Sequence, residues 1–181
     1  MKDQFYEMRG SEQREGLEQM IEWINNIRPT SEMSMIEIGS YVGESTLMFS
    51  EHFNSVLSID PYMDDYDVKD EATKYKPFNE VYEQFKTNTQ HKNNIKQIRL
   101  TSNDAYDILK DELFDLVYID GNHQYEFVKQ DILNYKNLVK PGGYIAGHDY
   151  VEHFPGVIQA VEETVGTVDK VFVDSSWIKK L

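Results

Sequence analysis

The 181-residue chain contains no cysteine. That excludes a disulfide framework, a thiolate nucleophile and a cysteine-type zinc site, and it suits a reducing, cytoplasmic setting. No apolar run approaches the roughly 20 residues of a membrane span, and the opening MKDQFYEMRGSEQREG has no apolar core of an export signal. Positive charge is also scarce: 18 Lys and Arg stand against 32 Asp and Glu, a formal net charge of -14. Such a surface repels phosphate backbones and anionic lipid heads, and no local basic patch offsets it. Nucleic acid and membranes are therefore not expected as partners, and small molecules are.

Hydrophobic residues make up 40% of the chain and aromatics 13%, the composition of a folded protein despite the charge. The length suits one domain over residues 1–181, with 1–29 as an N-terminal helical segment packing on the core. Leu17, Met20, Ile21, Ile24 and Ile27 have helical spacing, and Pro29 ends that run. MSMIEIG, SVLSID, IKQIRL, FDLVYID and the end of PGGYIAGHD read as strands. Helical patterns separate them at 43–53, 78–85, 105–109 and 124–138, and VIQAVEETV follows as a further helix. KVFVDSSWIKK reads as a closing hairpin around 174–176, and Pro141, Gly142 and Gly143 as a turn between helix and strand. Asp64, Asp65, Asp67, Asp70 and Glu71 crowd one stretch, expected to be a solvated loop or a lid over a site.

Alternating strands and helices predict an α/β fold, Rossmann-like and doubly wound, with a mostly parallel seven-stranded sheet and a C-terminal antiparallel hairpin. Ligands in such sheets sit beyond the carboxyl ends of the strands. Each of five strands delivers polar groups there: Glu37 with Gly39; Asp60; Ser102 with Asn103 and Asp104; Asp120 with His123; and His148 with Asp149. Any one of these carboxylates could simply cap the next helix, but five in a row suggest a site.

In EIGSYVGEST, Gly39 and Gly43 let the backbone approach a ligand closely, and the following helix N-terminus offers N–H groups to a carboxylate. Their Gly-x-x-x-Gly spacing is neither the dinucleotide fingerprint nor a phosphate loop, which weighs against a nicotinamide-dependent dehydrogenase. Asp60 ends the second strand, where a carboxylate can accept both hydroxyls of a ribose.

On these residues the chain resembles the class I S-adenosylmethionine-dependent methyltransferases over roughly residues 30–181. EIGSYVGEST is similar to the first motif of the small metal-dependent O-methyltransferases of the catechol O-methyltransferase kind, matching at Glu37, Gly39, Tyr41, Gly43 and Ser45. IDGNHQY and PGGYIAGHDY resemble still more a branch that includes macrocin-type sugar O-methyltransferases. The resemblance implies that Gly39, Tyr41, Gly43 and Ser45 hold the methionine moiety, Asp60 the ribose, and Ser102 with Asn103 the adenine end. It leaves Asp104 either beside them or as a helix cap.

Methyl transfer from a sulfonium is an in-line displacement, so such an enzyme must position and deprotonate an acceptor hydroxyl. Asp120, His148 and Asp149, on neighbouring strand ends, form the expected site for a divalent metal that lowers the hydroxyl pKa. Mg²⁺ is expected from the oxygen ligands, whereas the imidazole of His148 suits Mn²⁺, Fe²⁺ or Zn²⁺ better. His123 aligns with the catalytic lysine of the catechol-type enzymes and is expected to be a general base, its ordinary pKa being near neutrality. Tyr125 and Tyr150 are candidates to line the acceptor pocket. The expected reaction is O-methylation of a small molecule or sugar. The alternatives are a metal-independent N- or carboxyl-methyltransferase and an S-adenosylmethionine-binding module without turnover. The acceptor pocket is expected to draw on the loop 61–80, the N-terminal helix and, in a homodimer, a partner subunit.

Overall fold

The computed structural model describes residues 10–64, 66 and 77–181. Seven strands form one sheet: β1 (Ser34–Ile38), β2 (Ser55–Ile59), β3 (Ile95–Ile98), β4 (Phe114–Ile119), β5 (Val139–Gly147), β6 (Lys170–Val171) and β7 (Trp177–Lys180). Their order is β3-β2-β1-β4-β5-β7-β6. The first five pair in parallel, and β7 runs antiparallel to both β5 and β6. The chain leaves β1 toward β2 and β3 on one side and returns beside β1 as β4. The switch point therefore lies between β1 and β4, the crevice where such sheets take their ligands.

Alternation along the central strands sorts side chains onto two buried faces. Ile36, Ile38, Val117 and Ile119 join one core with Ala105 and Leu109 of α4 (Ser102–Leu109), Val128 and Ile132 of α5 (Tyr125–Tyr135) and Val157 of α6 (Pro155–Val165). Met35, Leu116, Tyr118 and Tyr144 join the other with Leu17, Met20 and Ile24 of α1 (Ser11–Asn25) and Phe49 of α2 (Glu44–His52). A third cluster sets Val81 and Phe85 of α3 (Phe78–Thr89) against Val42 and Tyr62.

Several boundaries differ from the sequence reading. α1 ends at Asn25, and Ile27, expected on its packing face, is 54% exposed. α4 begins at Ser102, because Thr101 caps it by accepting from Asp104 N at 3.2 Å. Pro141, Gly142 and Gly143 are not a turn but lie inside β5, where the register against β4 shifts. Gly142 absorbs the irregularity at φ 79° and donates to Leu181 O at 2.9 Å. Asp65, Asp67, Asp70 and Glu71 of the acidic stretch lie outside the described residues. None of the described helices is long and apolar enough to cross a membrane.

Candidate active site

The parallel ladder continues one residue past the strands. Asp60 N donates to Ile98 O at 3.2 Å, Gly39 N to Ile59 O at 2.9 Å, Asp120 N to Ile38 O at 2.7 Å, and His148 N to Ile119 O at 3.1 Å. Gly39, Asp60, Asp120 and His148 therefore stand side by side along one edge. Above them opens a cavity of about 270 Å³. At Gly39, φ is 83° and a Cβ would fall 2.0 Å from Asp120 O, so only glycine lets the β1 turn pass over the end of β4.

Asp60 organises that turn. Its Oδ2 accepts from Ser40 N and Tyr41 N, both at 3.0 Å, and its Oδ1 accepts from Tyr62 N at 2.9 Å. Burial pushes this carboxyl above its ordinary range, against the three N–H groups and Arg99, which pull it down. Asp60 keeps the place at the end of β2 where a ribose is expected. A carboxylate has about four lone-pair sites, and backbone N–H groups occupy three, which leaves room for one hydroxyl in this arrangement. Tyr62, buried at φ 48°, donates its hydroxyl to Tyr41 O at 2.9 Å, and Ser40 Oγ lies 3.1 Å from the same hydroxyl. Three of the four non-glycine residues with positive φ among the described residues, Tyr41, Tyr62 and Asp149, line the cavity. Backbone strain concentrated in this way is a mark of a functional site.

Across the switch point, two carboxylates meet two imidazoles. His123 Nε2 lies 2.9 Å from Asp149 Oδ2 and 3.9 Å from Asp120 Oδ1, and its ring rests on Phe154 at 5.1 Å between centroids. His148 Nδ1 lies 3.1 Å from Asp149 Oδ1 and 3.8 Å from Asp120 Oδ1. Burial alone would lower the His123 pKa, but hydrogen bonds with Asp120 and Asp149 and their charges raise it to about 11. Burial alone would raise Asp149, but the two imidazoles hold it below the ordinary carboxylate range. The two carboxylates thus favour the charged imidazole at His123, the residue expected from the sequence to be a general base of ordinary pKa. Donor atoms of Asp120, His123 and Asp149 all lie within 4.8 Å of one another, a spread that could hold a cation. The nitrogen ligand in that set is His123, where the sequence reading placed His148.

The structure distributes the other expected residues unevenly. Gly39, Tyr41, Ser45, Asp60, Ser102, Asp120, His123, His148 and Asp149 line the cavity; Glu37, Gly43, Asn103 and Asp104 do not. Glu37 faces the α2 layer, fully buried, and accepts from Thr46 Oγ1, which ties α2 to β1. Gly43 is the left-handed residue before α2, and its missing Cβ makes room for Phe85 and Thr89. Asn103 Oδ1 accepts from Asn134 Nδ2 at 3.0 Å, and Asp104 Oδ2 accepts from Thr101 Oγ1 at 2.7 Å, a helix cap. Tyr125 and Tyr150 leave the acceptor pocket as well: Tyr125 donates to Glu163 at 2.6 Å and Tyr150 to Glu162 at 3.1 Å, both on α6.

Comparison with known proteins agrees with this geometry. The sequence profile of the family described as "Methyltransferase domain" matches residues 36–150, from the middle of β1 to just past Asp149. The chain belongs to this methyltransferase family. An uncharacterized protein of Acanthamoeba polyphaga mimivirus is 27% identical over 160 residues, 82% of this chain and 66% of that protein, so the methyltransferase spans just under two thirds of that relative. Among solved structures, the O-methyltransferase NovP aligns with TM-score 0.69 at 16% identity, covering 94% of this chain and 80% of that one. The TDP-rhamnose 3'-O-methyltransferase CalS11 of calicheamicin biosynthesis aligns with TM-score 0.62 at 13% identity, covering 94% and 81%. The N-methyltransferase NodS from Bradyrhizobium japonicum, in complex with S-adenosylhomocysteine, gives 0.61 at 15% identity, covering 96% and 89%.

Sequence reasoning missed several groups that the methyltransferase brings to its cavity. Ser40, Tyr62, Tyr66, Phe78 and Asn122 line it from loops and from α3, and Gln13 reaches it from α1. Loop contacts of this kind leave no periodic signal. Asp131 is different, because a signal was present. It falls on the apolar face of α5 with Val128, Ile132 and Tyr135, and a carboxylate in a buried stripe demands an explanation. Asp131 is 4% exposed and lines the cavity, and burial raises its pKa to about 7 against a hydrogen bond with the Ser102 side chain.

Proposed function

We propose that the protein moves a methyl group from S-adenosylmethionine to a hydroxyl of a small-molecule or sugar acceptor, with a divalent cation held by Asp120, His123 and Asp149. The observation that carries the proposal is that this Asp-His-Asp set lines the same cavity as Asp60 and the Gly39 turn. The donor set fits a cation, since two carboxylates already hold a positive charge, the His123 proton, at that point. A proton and a metal ion compete for such a place, and two oxygens with one imidazole nitrogen suit Mn²⁺, Fe²⁺ or Zn²⁺ better than Mg²⁺. A cation there would lower the pKa of a coordinated hydroxyl, and S-adenosylmethionine would supply the electrophilic methyl on its sulfonium.

The chain's own residues do the rest. Four carboxylates, Glu44, Asp60, Asp120 and Asp149, line the cavity and make it attractive to positive charge. The Gly39 turn brings the backbone close to the donor, and Ser45 in the first turn of α2 offers a backbone N–H group to its amino-acid end. Until a cation displaces its proton, His123 orients Asp149 and holds it ionised. Asp120, on the cavity wall, accepts the acceptor's hydroxyl proton as the new O–C bond forms and the S–C bond breaks. Phe154 keeps water from the face of the His123 ring on which it packs.

The test is transfer of labelled methyl to a panel of diols and sugars, with and without chelator, together with calorimetry of S-adenosylhomocysteine binding. Asp120→Asn is expected to reduce transfer by about 10²- to 10⁴-fold while leaving binding within a few-fold. Transfer that ignores both the chelator and Asp120→Asn removes the metal and the hydroxyl from the proposal, and would favour an amine acceptor of the kind an N-methyltransferase uses. Failure of S-adenosylhomocysteine to bind at all defeats the whole reading.

A further inference from the structure

We propose that Asp131 reads the adenine ring of the cofactor by a two-point pair, its carboxyl O–H donating to ring N1 and its carbonyl oxygen accepting from the exocyclic N6–H. The inference rests on the S-adenosylmethionine reading above and deepens it at the end of the cavity away from the reacting atoms.

The order of the strand ends places the base. Asp149 follows β5 and Asp120 follows β4; then come Gly39 after β1, Asp60 after β2 and Ser102 past β3, at the sheet's edge. With the reacting methyl beside Asp120 and the ribose at Asp60, the base must extend toward Ser102. There α5 packs on α4: Tyr135 donates to Ser102 O at 2.7 Å, and its ring meets Tyr106 at 5.8 Å. Asp131 lies one turn before Tyr135, lines the cavity and bonds with the Ser102 side chain. Tyr66 closes the same end, its ring 5.9 Å from that of Phe127, one turn before Asp131 on α5.

The groups that face Asp131 explain its protonation. Tyr135 on its own helix and Tyr66 from the segment after β2 both feel its charge, and Asp60 and Asp104 add negative potential at Tyr66. Ser102 from α4 is the one group that favours the ionised form among the described residues. With no cation opposing it among the described residues, burial decides, and the carboxyl is neutral in a large share of molecules near pH 7. A neutral acid offers a donor beside an acceptor, the complement of adenine's N1 acceptor and N6 amino donor. An ionised carboxylate would meet N1 lone pair to lone pair. A purely structural role would be served as well by an apolar residue on this stripe, without the penalty of burying an acid.

The experiment is calorimetric titration of S-adenosylhomocysteine into the wild-type protein, Asp131→Asn and Asp131→Leu at constant ionic strength. Wild-type affinity is expected to fall about 30-fold more than that of Asp131→Asn between about pH 6 and pH 8.5, the change in neutral fraction for a group titrating near 7. Asp131→Asn keeps a donor beside an acceptor at every pH, so the difference between the two proteins isolates this carboxyl from the ligand's own amino group. Asp131→Leu should bind about 10- to 100-fold more weakly throughout. If wild type and Asp131→Asn bind with the same pH profile, Asp131 is structural and the inference fails although the cofactor reading stands. If wild type binds at no pH, the cofactor reading itself fails.

Discussion

Strand β4 has one aspartate just inside its start and another just past its end, and the fold treats them in opposite ways. Asp115, its side chain 1% exposed, accepts from Arg28 at 2.7 Å, Lys140 at 2.8 Å and Ser34 N at 2.9 Å. Burial alone would raise its pKa, but Lys140, Ser34 and Arg28 together hold it below the ordinary range. Asp120 stands at the cavity with two imidazoles at 3.8 and 3.9 Å. At the amino end of the sheet, charge is compensated and serves stability. At the carboxyl end, acids gather, backbone φ values turn positive, and Asp131 is buried with the Ser102 hydroxyl for support. That contrast is expected where one end of a sheet anchors the fold and the other prepares a reaction.

The largest effect should come from the cavity end. Asp149→Ala removes a carboxylate that holds both imidazoles, and methyl transfer should drop on the order of 10³-fold with S-adenosylhomocysteine affinity within a few-fold. An unchanged single-turnover rate would make the two ends equivalent. Next is Asp131→Asn, read by urea unfolding across pH. The folded pKa of Asp131 is raised from 3.8 to about 7, so the native state binds more protons than the unfolded chain between those values. The wild type should lose up to about 4 kcal/mol as pH rises through that window, the penalty being absent below it and complete above it. Asp131→Asn should escape this loss, and parallel stability curves for the two proteins would contradict a buried, neutral acid.

At the anchoring end, Asp115→Ala should lower unfolding free energy by about 2 to 3 kcal/mol, because Ser34 N–H loses its partner. The effect is limited because Arg28 and Lys140, 45% and 40% exposed, can turn to water. Transfer per folded molecule should stay within twofold or so; a large catalytic loss would break the division of labour between the ends. The smallest effect is expected for Thr101→Ala, which removes the α4 cap beside the cavity and should cost about 1 kcal/mol in denaturant midpoint experiments without changing the rate.

The strands, their mostly parallel sense and their polar ends were legible in the sequence because each rests on local pattern: apolar runs of strand length, helical spacing between them, and carboxylates at the junctions. The hairpin at the C-terminus was legible for the same reason. For Gly43 and Glu37, expected as ligand contacts, the sequence shows that a glycine and a buried-strand glutamate are needed but not which neighbours they meet. Phe85, more than 40 positions away, is what Gly43 makes room for, and Thr46 is what Glu37 holds. The protonation of His123 was equally out of reach, because it depends on Asp149 arriving from another strand.

The sequence by itself determined the alternation that makes a doubly wound sheet and delivered Asp60, Asp120, His123 and Asp149 to one edge of it, because periodicity and junction residues act over a few neighbours. Tertiary structure alone decided which of those groups share a cavity, which nitrogen joins the two carboxylates, and that Asp131 is buried beside Ser102. Electrostatic free energies depend on distance and burial, and both are set only when strands far apart in the chain lie side by side.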